Sequence, residues 1–149
     1  MSKAFTKEDD TPPERSVRKR ASTGLPPGAP NYMTADGARR FRTELASLKD
    51  AESERANHLR MLLASASIVE PPSTPPEGAV FGAKVTVRAP DGHEQIHRIV
   101  GVDEVYLEPD FVSWTSPNGR ALLGAEHGQR VMLETNGASR KFTIVRIDY

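Results

Sequence analysis

Between residues 34 and 69 the apolar positions recur at helical spacing. Phe41, Leu45 and Leu48 fall at i, i+4 and i+7 behind Thr34, a good N-cap. A second stripe, Ala56, Leu59, Leu62, Leu63 and Ala66, follows after "KDAESERANH", which has no large apolar residue and no Gly or Pro. Continued in heptad phase, the first stripe would place Glu52 and Arg55 on the apolar seam, so the gap reads as a bend with Ser53 as a second N-cap. The favoured outcome is two helices of about four turns each folded back on one another, and the alternative is one helix of about 50 Å.

Beyond residue 79 the period changes to two. "AKVTVRA" alternates Val85 and Val87 against Lys84, Thr86 and Arg88, a "PDG" turn follows, and then "EQIHRIVGV", which together make a hairpin. Shorter strands are expected at "FVSW" and "QRVMLET", the latter turning through Asn136-Gly137 into "RKFTIVRID". Ser116, Pro117 and Gly124 provide an N-cap, a first helical position and a C-terminal stop for one short helix that packs Ala121, Leu122 and Leu123 onto the sheet. The expected class is α+β: a short helical hairpin followed by an antiparallel sheet of about five strands holding one short helix.

Between these modules "VEPPSTPPEG" places four prolines in six positions, which can continue neither helix and favour a stiff spacer. Residues 1–32 combine clustered charge with "TPPE" and "TGLPPGAPN", too little apolar surface to offset the entropy of ordering. The expected organisation is therefore a flexible arm at 1–32, a helical hairpin at 33–69, a linker at 70–78 and a sheet module at 79–149.

Charge and composition narrow the function classes. Twenty basic residues balance twenty acidic ones, so attraction of the whole molecule to nucleic acid is not expected, and any such contact would be indirect or through the run Arg15, Arg18, Lys19 and Arg20 in the arm. The absence of Cys excludes disulfides, thiolate zinc sites and a Cys nucleophile. With no 18-residue apolar run and no signal-peptide core in "MSKAFTKEDDTPPERSVRKR", a soluble cytoplasmic protein without membrane contact is expected, a monomer with no cofactor.

The segments "NYMTADGARRFRTEL", "VFGAKVTV", "HRIVGVDE", "FVSWTSPNGRALLG" and "HGQRVML" resemble the Gre family of bacterial transcript-cleavage factors, especially GreB-type members. The resemblance covers residues 31–48 and about 60–149. It implies an N-terminal antiparallel coiled-coil hairpin, a C-terminal FKBP-like domain, and RNA polymerase as partner. In that family the C-terminal domain docks at the rim of the secondary channel while the hairpin enters toward the catalytic magnesium. The polymerase-binding loop of the family corresponds here to Trp114, Thr115, Ser116 and Pro117, with Thr115 where some members carry Asp. A family-type tip, an Asp and a Glu in a pattern like "GD-x-x-EN-x-(D/E)Y", does not occur, and each arm spans roughly 20 to 25 Å, about half the family's reach.

Candidate chemistry is sparse. Asp50, Glu52 and Glu54 stand at every second position, whereas carboxylates sharing a helical face need i+3 or i+4, so a solvated bend is favoured over a metal role. His93 and His97, if both in a strand, lie about 13 Å apart, too far to share an ion. No nucleophile motif accompanies the Ser, His and Asp residues. The expected protein is not an enzyme but a polymerase-binding elongation regulator without strong cleavage stimulation. Two alternatives stand behind it: cleavage stimulation through the three bend acids, and a prolyl isomerase or chaperone activity suggested by fold alone.

Overall fold

The computed structural model describes residues 25–149; the basic run Arg15, Arg18, Lys19 and Arg20 lies outside them. The described chain opens with strand β1 (Asn31–Thr34), helix α1 (Ala35–Ser47), helix α2 (Glu54–Ser65) and strand β2 (Ala66–Val69). β1 thus begins inside the segment assigned to the arm, and β2 occupies the end of the segment assigned to the hairpin. The two strands pair in parallel, Asn31 opposite Ala66 and Thr34 opposite Val69, with the helix pair as their crossover. Four-residue strands next to strong helical stripes carry too few alternations to be read from pattern alone.

Each helix starts on a side-chain cap. The Thr34 hydroxyl accepts the Gly37 N–H (3.0 Å) and the Ser53 hydroxyl accepts the Ala56 N–H (3.1 Å). The bend at 48–53 is built locally: Leu48 leaves α1 in an extended conformation, Asp50 Oδ1 accepts the Glu52 N–H (2.9 Å), and the Ser53 N–H reaches the Asp50 carbonyl (3.2 Å). Arg55, which one continuous helix would have put on the seam, instead forks onto Glu44 across the bend at 2.6 and 2.7 Å. That guanidinium holds the Glu44 carboxyl below its usual range, chiefly through its hydrogen bonds. Met33, Ala38, Phe41, Leu59 and Leu62 form the buried seam, joined by Leu107 from the second module.

The second module is a five-stranded sheet: β3 (Lys84–Arg88), β4 (Glu94–Val100), β5 (Phe111–Ser113), β6 (Arg130–Thr135) and β7 (Ala138–Asp148), in the order β5-β4-β3-β7-β6, with helix α3 (Pro117–Leu122) between β5 and β6. The expected all-antiparallel sheet is corrected here: β5 runs parallel to β4, pairing Arg98 with Phe111 and Val100 with Ser113. The alternation in a three-residue strand does not encode direction, and the return path through residues 101–110 sets it. Asn136 and Gly137 both take positive φ (51° and 80°), the conformation that a two-residue hairpin joining β6 to β7 needs. Val85, Val87, Ile99, Val131, Leu133, Phe142 and Ile144 make the inner face, covered by Leu122 of α3. Residues 70–83 hold no helix or strand beyond the single bridge of Gly78 to Glu126.

Candidate functional site

The loop between β5 and α3 is tightly organised. The Ser116 hydroxyl donates to the Ser113 carbonyl (2.7 Å) and accepts the Gly119 N–H (3.0 Å), while Pro117 occupies the first helical position. Ser116 therefore spends its proton inside the loop. Thr115 shares a 2.7 Å hydrogen bond between its hydroxyl and that of Ser113. Gly119 is fixed by proximity: a Cβ there would sit 1.9 Å from the Ser113 carbonyl oxygen. Asn118 clamps α3 to the sheet edge, its Nδ2 donating to the Glu134 carbonyl (3.0 Å) and its Oδ1 accepting the Glu134 N–H (2.7 Å).

These contacts shape an open groove of about 440 Å³ lined by Val105, Phe111, Val112, Ser113, Ser116, Pro117, Asn118 and Glu134. Of the four loop residues singled out in the sequence, Ser116 and Pro117 face this groove. Trp114 turns the other way, packing edge-on against Tyr32 at the hairpin base with ring centroids 5.3 Å apart. Its backbone N–H bonds the Val100 carbonyl (2.9 Å), which holds the loop against β4. Phe111, Asn118 and Glu134 had no sequence signal as groove residues, because only the tertiary fold brings the edge strand to the helix.

The 101–110 loop, whose Val105 lines the groove, also grips the hairpin base. Glu104 is fully buried; its Oε2 accepts the N–H groups of Thr34 (3.0 Å) and Gly101 (2.7 Å), and its Oε1 bonds the Thr34 hydroxyl. Burial pushes this carboxyl up, against the opposing pull of those hydrogen bonds. Asn31 Nδ2 bonds Asp103 (2.9 Å) and Arg40 bonds Glu108 (2.9 Å). Gly37 and Gly101 are needed here, since a Cβ at the first would meet Glu104 Oε1 at 2.0 Å and at the second the Tyr32 carbonyl oxygen at 1.9 Å. A Glu that follows Asp103 in a short loop gave no hint in sequence of this role.

The remaining candidates do not converge. Asp50, Glu52 and Glu54 are exposed at the bend, with Asp50 spent on the turn, and among the described residues no three His, Asp or Glu side chains are grouped to hold a metal. His93 lies in the turn before β4 rather than in the strand, bonded to Asp91 (3.0 Å), while His97 contacts Gln95 (3.2 Å). Of the aromatic residues, Phe81 and Trp114 both pack against Tyr32, with ring centroids 5.7 and 5.3 Å from it, whereas Phe142 is in the core and Tyr106 is 94% exposed. No helix among the described residues is long and apolar enough to cross a membrane.

A mixed five-stranded sheet carrying a capped loop, beside a two-stranded parallel sheet whose crossover is a helix pair, defines an α+β protein. The family model described as "Transcription elongation factor, GreA/GreB, C-term" matches residues 75–149, and the chain belongs to this family. It is 35% identical over 64% of its length to the transcription elongation factor GreA of Alkalilimnicola ehrlichii, and 34% identical over 68% to the transcription elongation factor GreB of Pseudomonas aeruginosa. It spans about 60% of the length of these relatives (61% and 60%). Among solved structures, a GreA/GreB factor from Nitrosomonas europaea is 26% identical with a TM-score of 0.46, covering 79% of this chain and 98% of the other.

Proposed function

We propose that this chain is a transcription elongation regulator that binds RNA polymerase at the rim of the secondary channel, with the 114–117 loop and its groove as the docking surface. The observation carrying this reading is the groove itself, built on the segment "WTSPNGRALL" that matches the family's docking loop. Ser116 and Pro117 act by shape, since the Ser116 proton is used internally. Glu134, an acidic residue of the groove lining whose carboxylate accepts the Ser139 hydroxyl (3.1 Å), would suit a basic group on the partner where Thr115 stands in place of the Asp of some relatives. The 33–69 segment serves as a coiled-coil hairpin and 79–149 as an FKBP-like domain.

The hairpin's helices have 13 and 12 residues, about 20 and 18 Å. On that reach Asp50, Glu52 and Glu54 stop short of the catalytic metal, so the chain occupies the channel entrance without strong cleavage stimulation and performs no chemistry of its own. The test adds the protein to backtracked elongation complexes with magnesium and follows transcript shortening, alone and against a full-length family member. The expected result is little shortening alone and slower shortening in competition. Efficient shortening that is abolished by replacing the three acids with Asn and Gln would establish the cleavage-stimulating alternative instead.

A further inference from the structure

The outer face of the sheet carries a concavity that the docking groove does not use. Strand register aligns Arg88 of β3, Thr143 of β7 and Arg130 of β6 in one row, and Lys141 lies two residues along β7 from Thr143, on the same face and opposite Met132. These positions alternate with the inward-facing, buried Val87, Val131, Phe142 and Ile144, so their own side chains lie on the opposite, solvent-facing side of the sheet. The hollow they surround is about 350 Å³, lined by Arg88, Ala89, Pro90, Arg130, Lys141 and Thr143, with three cations, one hydroxyl and no carboxylate in its wall.

Among the described residues neither Arg130 nor Lys141 has an ion-pair partner. Arg88 gives Nε and Nη2 to Glu94 and keeps Nη1. Nearby, Asp91 is held by His93, and its carboxyl is drawn below the usual range chiefly by that hydrogen bond. A chain with no net charge has thus gathered two cations without an ion-pair partner, Arg130 and Lys141, beside the ion-paired Arg88. Arg130 and Lys141 are diagonal neighbours on paired strands, about 7 to 8 Å apart at Cα, a separation that suits two successive phosphates better than one.

We propose that this hollow is a phosphate-binding site for the backbone of a single-stranded nucleic acid, independent of the polymerase-docking groove. The guanidinium forks and the Thr143 hydroxyl suit phosphate oxygens, and the wall offers no aromatic ring on which a base could stack, so the site holds backbone without reading sequence.

The test is fluorescence anisotropy of the full chain with a labelled single-stranded RNA of mixed sequence, over a salt series and without polymerase. Three phosphate contacts give a slope of log K against log salt of about −2 from this site. Arg130→Ala with Lys141→Ala should weaken binding about tenfold at low salt and flatten the slope by about 1.4, while Arg130→Lys with Lys141→Arg should retain both. A variant with Ala at Arg15, Arg18, Lys19 and Arg20 separates the arm; if it alone removes all binding, the proposal fails. Amide chemical shifts of the wild-type chain titrated with the same RNA should move at residues 88–90, 130 and 141–143, a readout that needs no variant. Silence at those amides, or equal binding of polyglutamate or of inorganic phosphate alone, would overturn it.

Discussion

Replacing Glu104 by Ala should destabilise the whole chain far more than its polar character suggests. The carboxylate is the shared acceptor for the Thr34 and Gly101 N–H groups and partners the Thr34 hydroxyl, which itself caps α1 by accepting the Gly37 N–H. Each buried donor left without a partner costs about 1 to 3 kcal/mol, and release of a desolvated carboxyl offsets part of the sum, leaving a net loss of about 3 kcal/mol. For a chain of this size that lowers the thermal midpoint by about 10 °C. Glu104→Gln keeps one acceptor oxygen for the two N–H groups and should cost about 1 kcal/mol. Urea denaturation followed by circular dichroism measures both. A loss below about 1 kcal/mol for the Ala variant would refute the idea that this carboxyl welds the hairpin to the sheet module.

Three further outcomes follow from the same contacts. Because burial raises the folded-state pKa of Glu104 above its unfolded value near 4.5, its contribution is fullest below that value and declines as pH rises through the raised folded pKa; the stability gap between wild type and Glu104→Gln should narrow from pH 4 to pH 7 in matched denaturation series. Asn118→Ala removes both bonds to Glu134 and should cost about 1 to 2 kcal/mol, with faster hydrogen exchange at the Glu134 amide as the local signature. Asp50→Asn, Glu52→Gln and Glu54→Gln combined should shift stability by no more than about 0.5 kcal/mol in the same assay, since all three are exposed at the bend.

Much of this architecture could be read from local pattern, and the residues that could not be read share one cause. Thr34, Ser53 and Ser116 announced three helix starts because a cap is a short-range device, and Asn136-Gly137 announced a hairpin for the same reason. The direction of β5 and the pairing of β1 with β2 depend on contacts between residues more than ten positions apart, which alternation cannot report. Glu104 shows the limit most clearly. A carboxylate beside Val102 and Val105 looks like a solvated loop acid until the fold brings Thr34 and Gly101 around it. Of the site, Ser116 and Pro117 were legible through their capping role and the family resemblance, whereas Glu134 joins the groove only through its clamp to Asn118.

The 101–110 loop ties the two ends of the molecule together. Asp103, Glu104 and Glu108 hold the hairpin base, Val105 lines the groove, and Trp114, two residues before Ser116, rests on Tyr32 of β1. Aim at the bend depends on angle at the base: over a helix of about 20 Å, a tilt of about 10° displaces the far end by 3 to 4 Å. Positioning chemistry loses orders of magnitude over 1 Å, so a hairpin held by a single flexible strand would have no defined target. Here the base is gripped from several sides, by a buried carboxylate, an Asn–Asp bond, an Arg–Glu pair and an aromatic contact. A partner seated in the groove as proposed would therefore meet a hairpin whose direction is already set. If the chain docks as proposed, the length of the helices sets how far the bend extends, while the grip at the base sets the direction in which it points.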